Sequence, residues 1–126
     1  MKRVWIAGAL MLLCAAFCLI SFFTVTKDCN HLIAHAKQIK SFVQNEDERQ
    51  VKQTARQIKK EWNSDAFSFS LLTSHIHYDT LEECTDKVYH ACMAGETKEI
   101  RNACDDLIFE ASHIIESIRP RAENVF

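Results

Sequence analysis

The chain of 126 residues is poor in the residues that build tight turns, with two glycines and one proline. A sheet protein with several turns needs more of both, so these counts favour helices. The six cysteines form no Cys-x-x-Cys motif, which argues against thiol redox chemistry and covalently attached haem. No serine or cysteine stands in a recognisable nucleophile motif. These absences predict an all-helical protein that is not an enzyme and holds no cofactor.

One long apolar run is present, from Val4 to Val25, and it contains no charged residue. As a helix rising about 1.5 Å per residue it is roughly 33 Å long, enough to cross a hydrocarbon core of about 30 Å. A cleaved secretory signal is the alternative. Such a signal has an apolar stretch of about 7–15 residues and a small-x-small cleavage site, whereas this run is longer and ends in bulky residues. We predict an uncleaved transmembrane anchor.

Basic residues precede the run as Lys2 and Arg3, whereas Lys27 after it is offset by Asp28. Positive flanks stay in the cytoplasm, so the remainder of the chain is predicted to lie outside a cell membrane that it crosses once, with the lipid bilayer as a partner. The predicted organisation is a cytoplasmic start, an anchor, an extracytoplasmic helical domain and a tail, at residues 1–3, 4–25, 27–119 and 120–126.

The outer domain carries apolar residues spaced alternately four and three apart, the pattern of helices with one buried face. Four such segments are predicted, with Asn45 and Thr97 as caps and Gly95 as a stop, at about 28–43, 51–62, 67–94 and 97–118. Short connections make neighbouring helices antiparallel. The predicted fold is therefore all-α, a transmembrane helix followed by an antiparallel four-helix bundle. An elongated pair of helical hairpins is the alternative.

Several features follow one another in a recognisable order: the basic start with its anchor, Glu61-Trp62 closing the second helix, His75 followed by Asp79 and Glu82, and the terminal Asn124-Val125-Phe126. In this order the chain resembles the bacterial membrane-anchored family known as domain of unknown function 4363. The resemblance implies a helical outer domain with no assigned activity, and a small multi-span membrane protein as partner. The six cysteines depart from the family's usual pattern, which implies that they are not part of a shared function.

Smaller and softer side chains recur along one face of the predicted anchor at spacings of four, three, four and three, namely Ala7, Met11, Cys14, Cys18 and Ser21. Small residues let transmembrane helices approach closely, so this anchor stripe is a candidate face for self-association or for a partner. A chance pattern is the alternative, because no Gly-x-x-x-Gly is present.

Two groups of histidines are candidate ligands. Asp28, His31 and His35 stand one helical turn apart, a spacing that can chelate zinc or nickel, although solvated histidines are commoner. His75 is predicted to be a buried histidine held by Asp79.

The functional alternative for His75 is a pocket for a small ligand or for pH sensing. Trp62 and Tyr78 would line that pocket together with His75.

Charge is unevenly distributed. Without Lys2 and Arg3 the chain has 13 basic and 17 acidic residues, a balance that does not suggest nucleic acid as a partner. The second helix nevertheless carries a basic stripe, Arg49, Lys52, Arg56 and Lys59. It is predicted to pair with the acidic helices beside it, and the alternative is contact with anionic lipid or cell-wall polymer.

Two further features are local. Folding the third and fourth helices about Gly95 brings Cys84 near Cys104, a possible disulfide. The tip of the tail, Phe126, is predicted to tuck under the bundle, to dip into the membrane interface or to hook a partner.

The sequence as a whole predicts a non-enzymatic accessory or interaction subunit for a membrane or envelope partner. A sensing bundle around His75 is the alternative, and metal binding through His31 and His35 is a weaker one.

Overall fold

The structure is a computed structural model that describes residues 1–118; the predicted tail with Phe126 lies outside the described residues. Four helices follow one another: α1 Lys2–Gln44, α2 Glu48–Leu72, α3 His75–Ala94 and α4 Thr97–Ile118. Helix α1 packs on α2 and α4, and α3 packs on the same two helices from the opposite corner. This closed ring of antiparallel neighbours confirms the four-helix bundle and not the elongated pair of hairpins.

Helix α1 runs without a break for 43 residues through both the predicted anchor and the first helix of the bundle. It is long and apolar enough to span a membrane, a test that a signal sequence also passes. Residues 2–20, which we call the exposed segment, are exposed along their whole length, and packing against the bundle begins at Ser21. The bundle therefore starts within the apolar run of residues 4–25 and not after it.

Helix α2 is longer than the sequence pattern predicted. The predicted second helix ends at residue 62, yet α2 continues through the polar residues 63–65 to Leu72, so the predicted third helix beginning near Phe67 is wrong. These polar residues are exposed. The buried face of α2 continues across this stretch. It consists of Trp62, half-buried Ala66 and fully buried Phe69, again at spacings of four and three.

The turns between the helices use standard caps. Asp47, and not the predicted Asn45, caps the start of α2 by accepting a hydrogen bond from the backbone N–H of Gln50 at 3.3 Å. Ser74 caps α3 in the same way. Gly95 ends α3 with a φ of 79°, a left-handed conformation that a side chain would strain. Thr97 is the first residue of α4 and not its cap.

The core runs the length of the bundle, with each helix contributing one face. Its largest fully buried side chains are Phe69, Ile39, Ile58, Leu81, Leu107 and Ile114. Between them lie small residues that let the helices approach closely, among them Ala36, Ala55 and Ala111. The buried hydroxyl of Thr85 donates to the carbonyl of Leu81 at 2.7 Å, so it adds no unpaired polar group to this core.

The extension of α2 can be tested with two phenylalanines that stand two residues apart. Phe69 is completely buried, whereas Phe67 is 74% exposed. We expect Phe69→Ala to lower the free energy of unfolding by about 3–5 kcal/mol, because it removes a large core side chain and leaves a cavity. Phe67→Ala should change it by less than about 0.5 kcal/mol. Denaturant unfolding of the full chain in detergent measures both, and equal effects would contradict the observed register of α2.

Candidate functional site

The anchor stripe continues the core face of α1. Along α1 the core residues are Val25, Cys29, Leu32, Ala36 and Ile39, at spacings of four, three, four and three. Each member of the stripe lies 18 residues, or five full helical turns, before one of these core residues: Ala7, Met11, Cys14, Cys18 and Ser21. Cys18 and Ser21 line a cleft of about 290 Å³ together with Leu72 and Ile118. The stripe therefore lies on the side of α1 that faces the bundle axis.

This position restricts what can pack on the stripe. Helices α2, α3 and α4 all stand on the stripe's side of α1, each with a diameter of about 10 Å. A second, parallel copy packed on the stripe would place its own α1 about 8–10 Å away, in the space that these helices occupy. Parallel self-association through the stripe is thus blocked sterically. A helix that ends below the bundle can still reach it.

The predicted metal ligands are not gathered around one point. His35 Nε2 lies 2.9 Å from Glu61 Oε2 on α2, and its Nδ1 lies 3.3 Å from Gln38 Oε1. The rings of His31 and His35 meet edge to face at 6.5 Å. Within residues 1–118 no three His, Cys, Asp or Glu side chains are placed to hold a metal ion. His35 instead ties α1 to α2.

Asp28 lies at the end of the bundle next to the exposed segment. Partial burial raises the pKa of its carboxyl to about 6, and the nearby charge of Asp65 on α2 acts in the same direction. The charges of His31 and Lys27 act against this rise in pKa. The folded state consequently binds a proton at Asp28 more tightly than the unfolded chain does.

This raised pKa predicts a pH-dependent cost of folding. The cost is absent below about pH 4, grows as pH rises and is complete above about pH 6, because only the unfolded chain ionises Asp28 freely. Asp28→Asn should therefore raise the free energy of unfolding at pH 7 by about 1 kcal/mol, a figure discounted for the solvent that reaches this half-buried group. At pH 4 it should have no effect.

Unfolding of the detergent-solubilised chain across this pH range measures the effect. Asp86→Asn, at an exposed position of α3, removes the same charge and serves as the control. A loss of stability at pH 7 with Asp28→Asn would show that the ionised carboxylate makes a favourable contact, contrary to this prediction.

Two of the three residues predicted to line a pocket, Trp62 and Tyr78, pack on each other. Trp62 is buried, stacks on Tyr78 at a centroid distance of 5.7 Å and meets Phe69 edge to face at 5.2 Å. His75 is exposed as the first residue of α3, so the prediction of a buried histidine is wrong. The reason is the length of α2, which places His75 at the start of α3 and not in the interior of a helix as predicted.

Within the aromatic cluster the polar atoms are unequally satisfied. The hydroxyl of Tyr78 donates to Glu82 Oε1 at 3.4 Å, whereas Trp62 Nε1 is buried without an acceptor among the described residues. The cluster thus holds α2 against α3, and the unpaired Trp62 Nε1 reduces the stability that this packing contributes.

The basic stripe lies far from the exposed segment. Lys52 pairs with Glu48 at 3.3 Å, and Lys59 lies 4.3 Å from the ring centroid of Tyr89, while Arg49 and Arg56 are exposed. Because α2 starts at the opposite end of the bundle, the stripe stands roughly 18–30 Å beyond Val25 along α1. This distance exceeds the Debye length of about 8–10 Å at physiological ionic strength. Salt therefore screens these charges from a bilayer around the exposed segment.

All six cysteines are free thiols. Cys104 lies close enough to Cys92 for a thiolate there to raise its pKa, whereas Cys84 lies near Glu110 and Asp106. The predicted Cys84–Cys104 disulfide is therefore not formed. The hairpin turn includes Glu96 as well as Gly95, and with this turn Cys84 and Cys104 do not stand at facing positions.

We expect all six thiols to titrate when the chain is unfolded without a reductant. In the folded chain, burial raises the pKa of Cys29 and Cys104 to about 12 and that of Cys84 and Cys92 to about 11, so a water-soluble maleimide at pH 8 should leave these four unmodified. Mass spectrometry counts the adducts. Fewer than six adducts after unfolding would reveal a disulfide that the structure does not contain.

Two surfaces were not predicted from the sequence. One is a cleft of about 320 Å³ at the end of the bundle far from the exposed segment, with Phe42 and Ile100 in its floor and Glu46 and Asp47 at its rim. The other is a group of exposed apolar side chains at the near end, including Phe67, Leu71 and Ile76. The pattern that would have revealed the second is the uninterrupted spacing from Trp62 to Phe69, which leaves Phe67 off the buried face.

Comparison with protein-family models gives a match over most of the chain. A family model described as Domain of unknown function (DUF4363) matches residues 19–125. The match covers the end of the exposed segment and all four helices of the bundle. No curated protein and no solved structure matches the chain.

Proposed function

The chain belongs to the domain of unknown function 4363 family, and from that premise we propose that it is a non-enzymatic, membrane-anchored interaction subunit. In this proposal the exposed segment of α1 crosses the cell membrane with Lys2 and Arg3 in the cytoplasm, and the bundle stands outside. The partner is a membrane protein, and a small multi-span protein fits the proposal best. Its contact is the anchor stripe.

The observation that carries the proposal is the unbroken α1. No linker separates the exposed segment from the bundle, and one face of the helix serves as anchor stripe in its first half and as core in its second. A partner helix that binds the stripe therefore fixes the rotation and the height of the bundle outside the membrane. A flexible tether would permit no such control.

The geometry also restricts the partner. Because the bundle overhangs the stripe, a partner helix packed there ends in a short outer loop near the level of Ser21. The short loops of a small multi-span protein satisfy this requirement, whereas a helix that continues into a bulky outer domain does not. Neither sensing around His75 nor metal binding at His31 and His35 is favoured by a specific contact in residues 1–118.

The proposal is tested by cross-linking and recovery of the full-length protein from its own membrane, beside a version in which residues 2–20 are replaced by an unrelated transmembrane helix. A single membrane protein recovered with the native anchor alone would support it. Recovery with both anchors would move the contact to the outer bundle, and recovery with neither would overturn the idea of a stable partner.

Two alanines in the exposed segment provide a matched pair of variants. Ala7 is on the anchor stripe, and Ala9 lies about 200° around the helix from it. We expect Ala7→Phe to reduce recovery of the partner about tenfold, because a bulky ring prevents close helix approach at a site worth about 1–2 kcal/mol. Ala9→Phe should leave recovery unchanged. Equal recovery with both variants would exclude the stripe as the contact.

A further inference from the structure

The length of α1 that is free to contact lipid is shorter than the apolar run. From Val4 to Ile20 the helix is exposed, and from Ser21 the bundle packs against it. Seventeen residues span about 26 Å, whereas the hydrocarbon core of a bilayer is about 30 Å thick. A few ångströms of hydrocarbon must therefore be matched by thinning of the bilayer or by another part of the protein.

The end of the bundle at that level is apolar on its outside. Leu72 lines the same cleft as Phe22 and Val25, so the α2–α3 turn is level with the end of the apolar run. Four large apolar side chains are exposed there, and we call them the collar: Phe23, Phe67, Leu71 and Ile76, each at least 65% exposed.

The collar is a local concentration of exposed apolar surface. Beyond the exposed segment, the only other large hydrophobic side chain exposed among the described residues is Phe109. Phe109 lies nine residues before Ile118, about 14 Å further from this end of the bundle. Phe67 and Leu71 are four residues apart and so share one face of α2. Apolar surface gathered in this way at one end of a soluble domain marks an interaction site.

We propose that the collar is inserted in the outer leaflet of the bilayer, at the boundary between acyl chains and headgroups. This inference rests on the membrane anchoring assumed in the proposed function. The collar is continuous with the lipid-facing surface of the exposed segment, since Phe23 belongs to both α1 and the collar. Amphipathic elements at this boundary bury their apolar face about 5–10 Å deep, which is more than the missing length of hydrocarbon. The base of the bundle thus completes the hydrophobic span that α1 begins.

The test uses tryptophan fluorescence of the full-length protein in phosphatidylcholine and phosphatidylglycerol vesicles, with or without bromine in the upper part of the acyl chains. Bromine quenches a tryptophan that it contacts. Trp5→Phe gives a background whose remaining tryptophan, Trp62, is buried in the core. Phe67→Trp reports on the collar. Phe109→Trp is the matched control, since both phenylalanines are exposed.

We expect the signal added by Phe67→Trp to fall at least about twofold in brominated vesicles and to be blue-shifted, as at a membrane interface. The signal added by Phe109→Trp should be the same in both vesicles. Circular dichroism checks that both variants are folded. Unquenched Phe67→Trp at every protein-to-lipid ratio would overturn the inference, and so would equal quenching at both positions.

Trp5 separates this failure from a failure of the anchoring. In the unmodified chain Trp5 lies within the exposed segment and is quenched if that segment is inserted. Loss of Trp5 quenching would refute the anchoring and the collar together. Retained Trp5 quenching with an unquenched Phe67→Trp would refute the collar alone.

Discussion

The structure depends on the unbroken backbone hydrogen bonding of α1. This hydrogen bonding continues through Ser21, where the exposed segment ends and packing against the bundle begins. Residues before Ser21 are exposed on every side, and residues after it are covered on one face by two neighbouring helices. Because the helix is continuous there, the rotational position of each residue in the first half fixes that of the residues in the second half. The other three helices therefore all lie on one side of α1. The position of the anchor stripe below the bundle follows directly.

The same constraint gives the cysteines a structural explanation. A face that continues from a close-packing stripe into a bundle core needs small, apolar side chains, and a free cysteine behaves as a small hydrophobe. Cys14 and Cys18 lie on the stripe, Cys29 continues the same face into the core, and Cys92 and Cys104 are completely buried in the facing helices. Burial raises the pKa values of Cys29, Cys92 and Cys104, which marks these three as unreactive packing groups. No catalytic or redox role is needed to account for them.

Periodicity in the sequence predicted most of the fold, since α4 and the outer half of α1 bury the residues whose spacing alternates four and three. It fails at α2, where the polar residues 63–65 separate two predicted helices although Trp62 and Phe69 are in register across them. Polar side chains on the exposed face do not end a helix, and no glycine or proline stands there. The misplacement of His75 and the missed exposure of Phe67 both follow from that one error. Long-range pairs such as His35 with Glu61 leave no periodic signal, so they could not be predicted.

In the proposed membrane orientation, the exposed segment and the bundle also stabilise each other through α1. Starting a helix in water is costly, because several residues must be fixed before the first hydrogen bond is made. Inside a bilayer every backbone group must be paired within the segment, so an inserted exposed segment supplies a finished helix from which the outer half continues. The bundle in turn prevents the second half of α1 from fraying and, in that orientation, sets the level at which the exposed segment leaves the lipid. Any event that rotates or shifts the segment must therefore move the whole bundle, and any event that loosens the bundle must change what the anchor stripe presents.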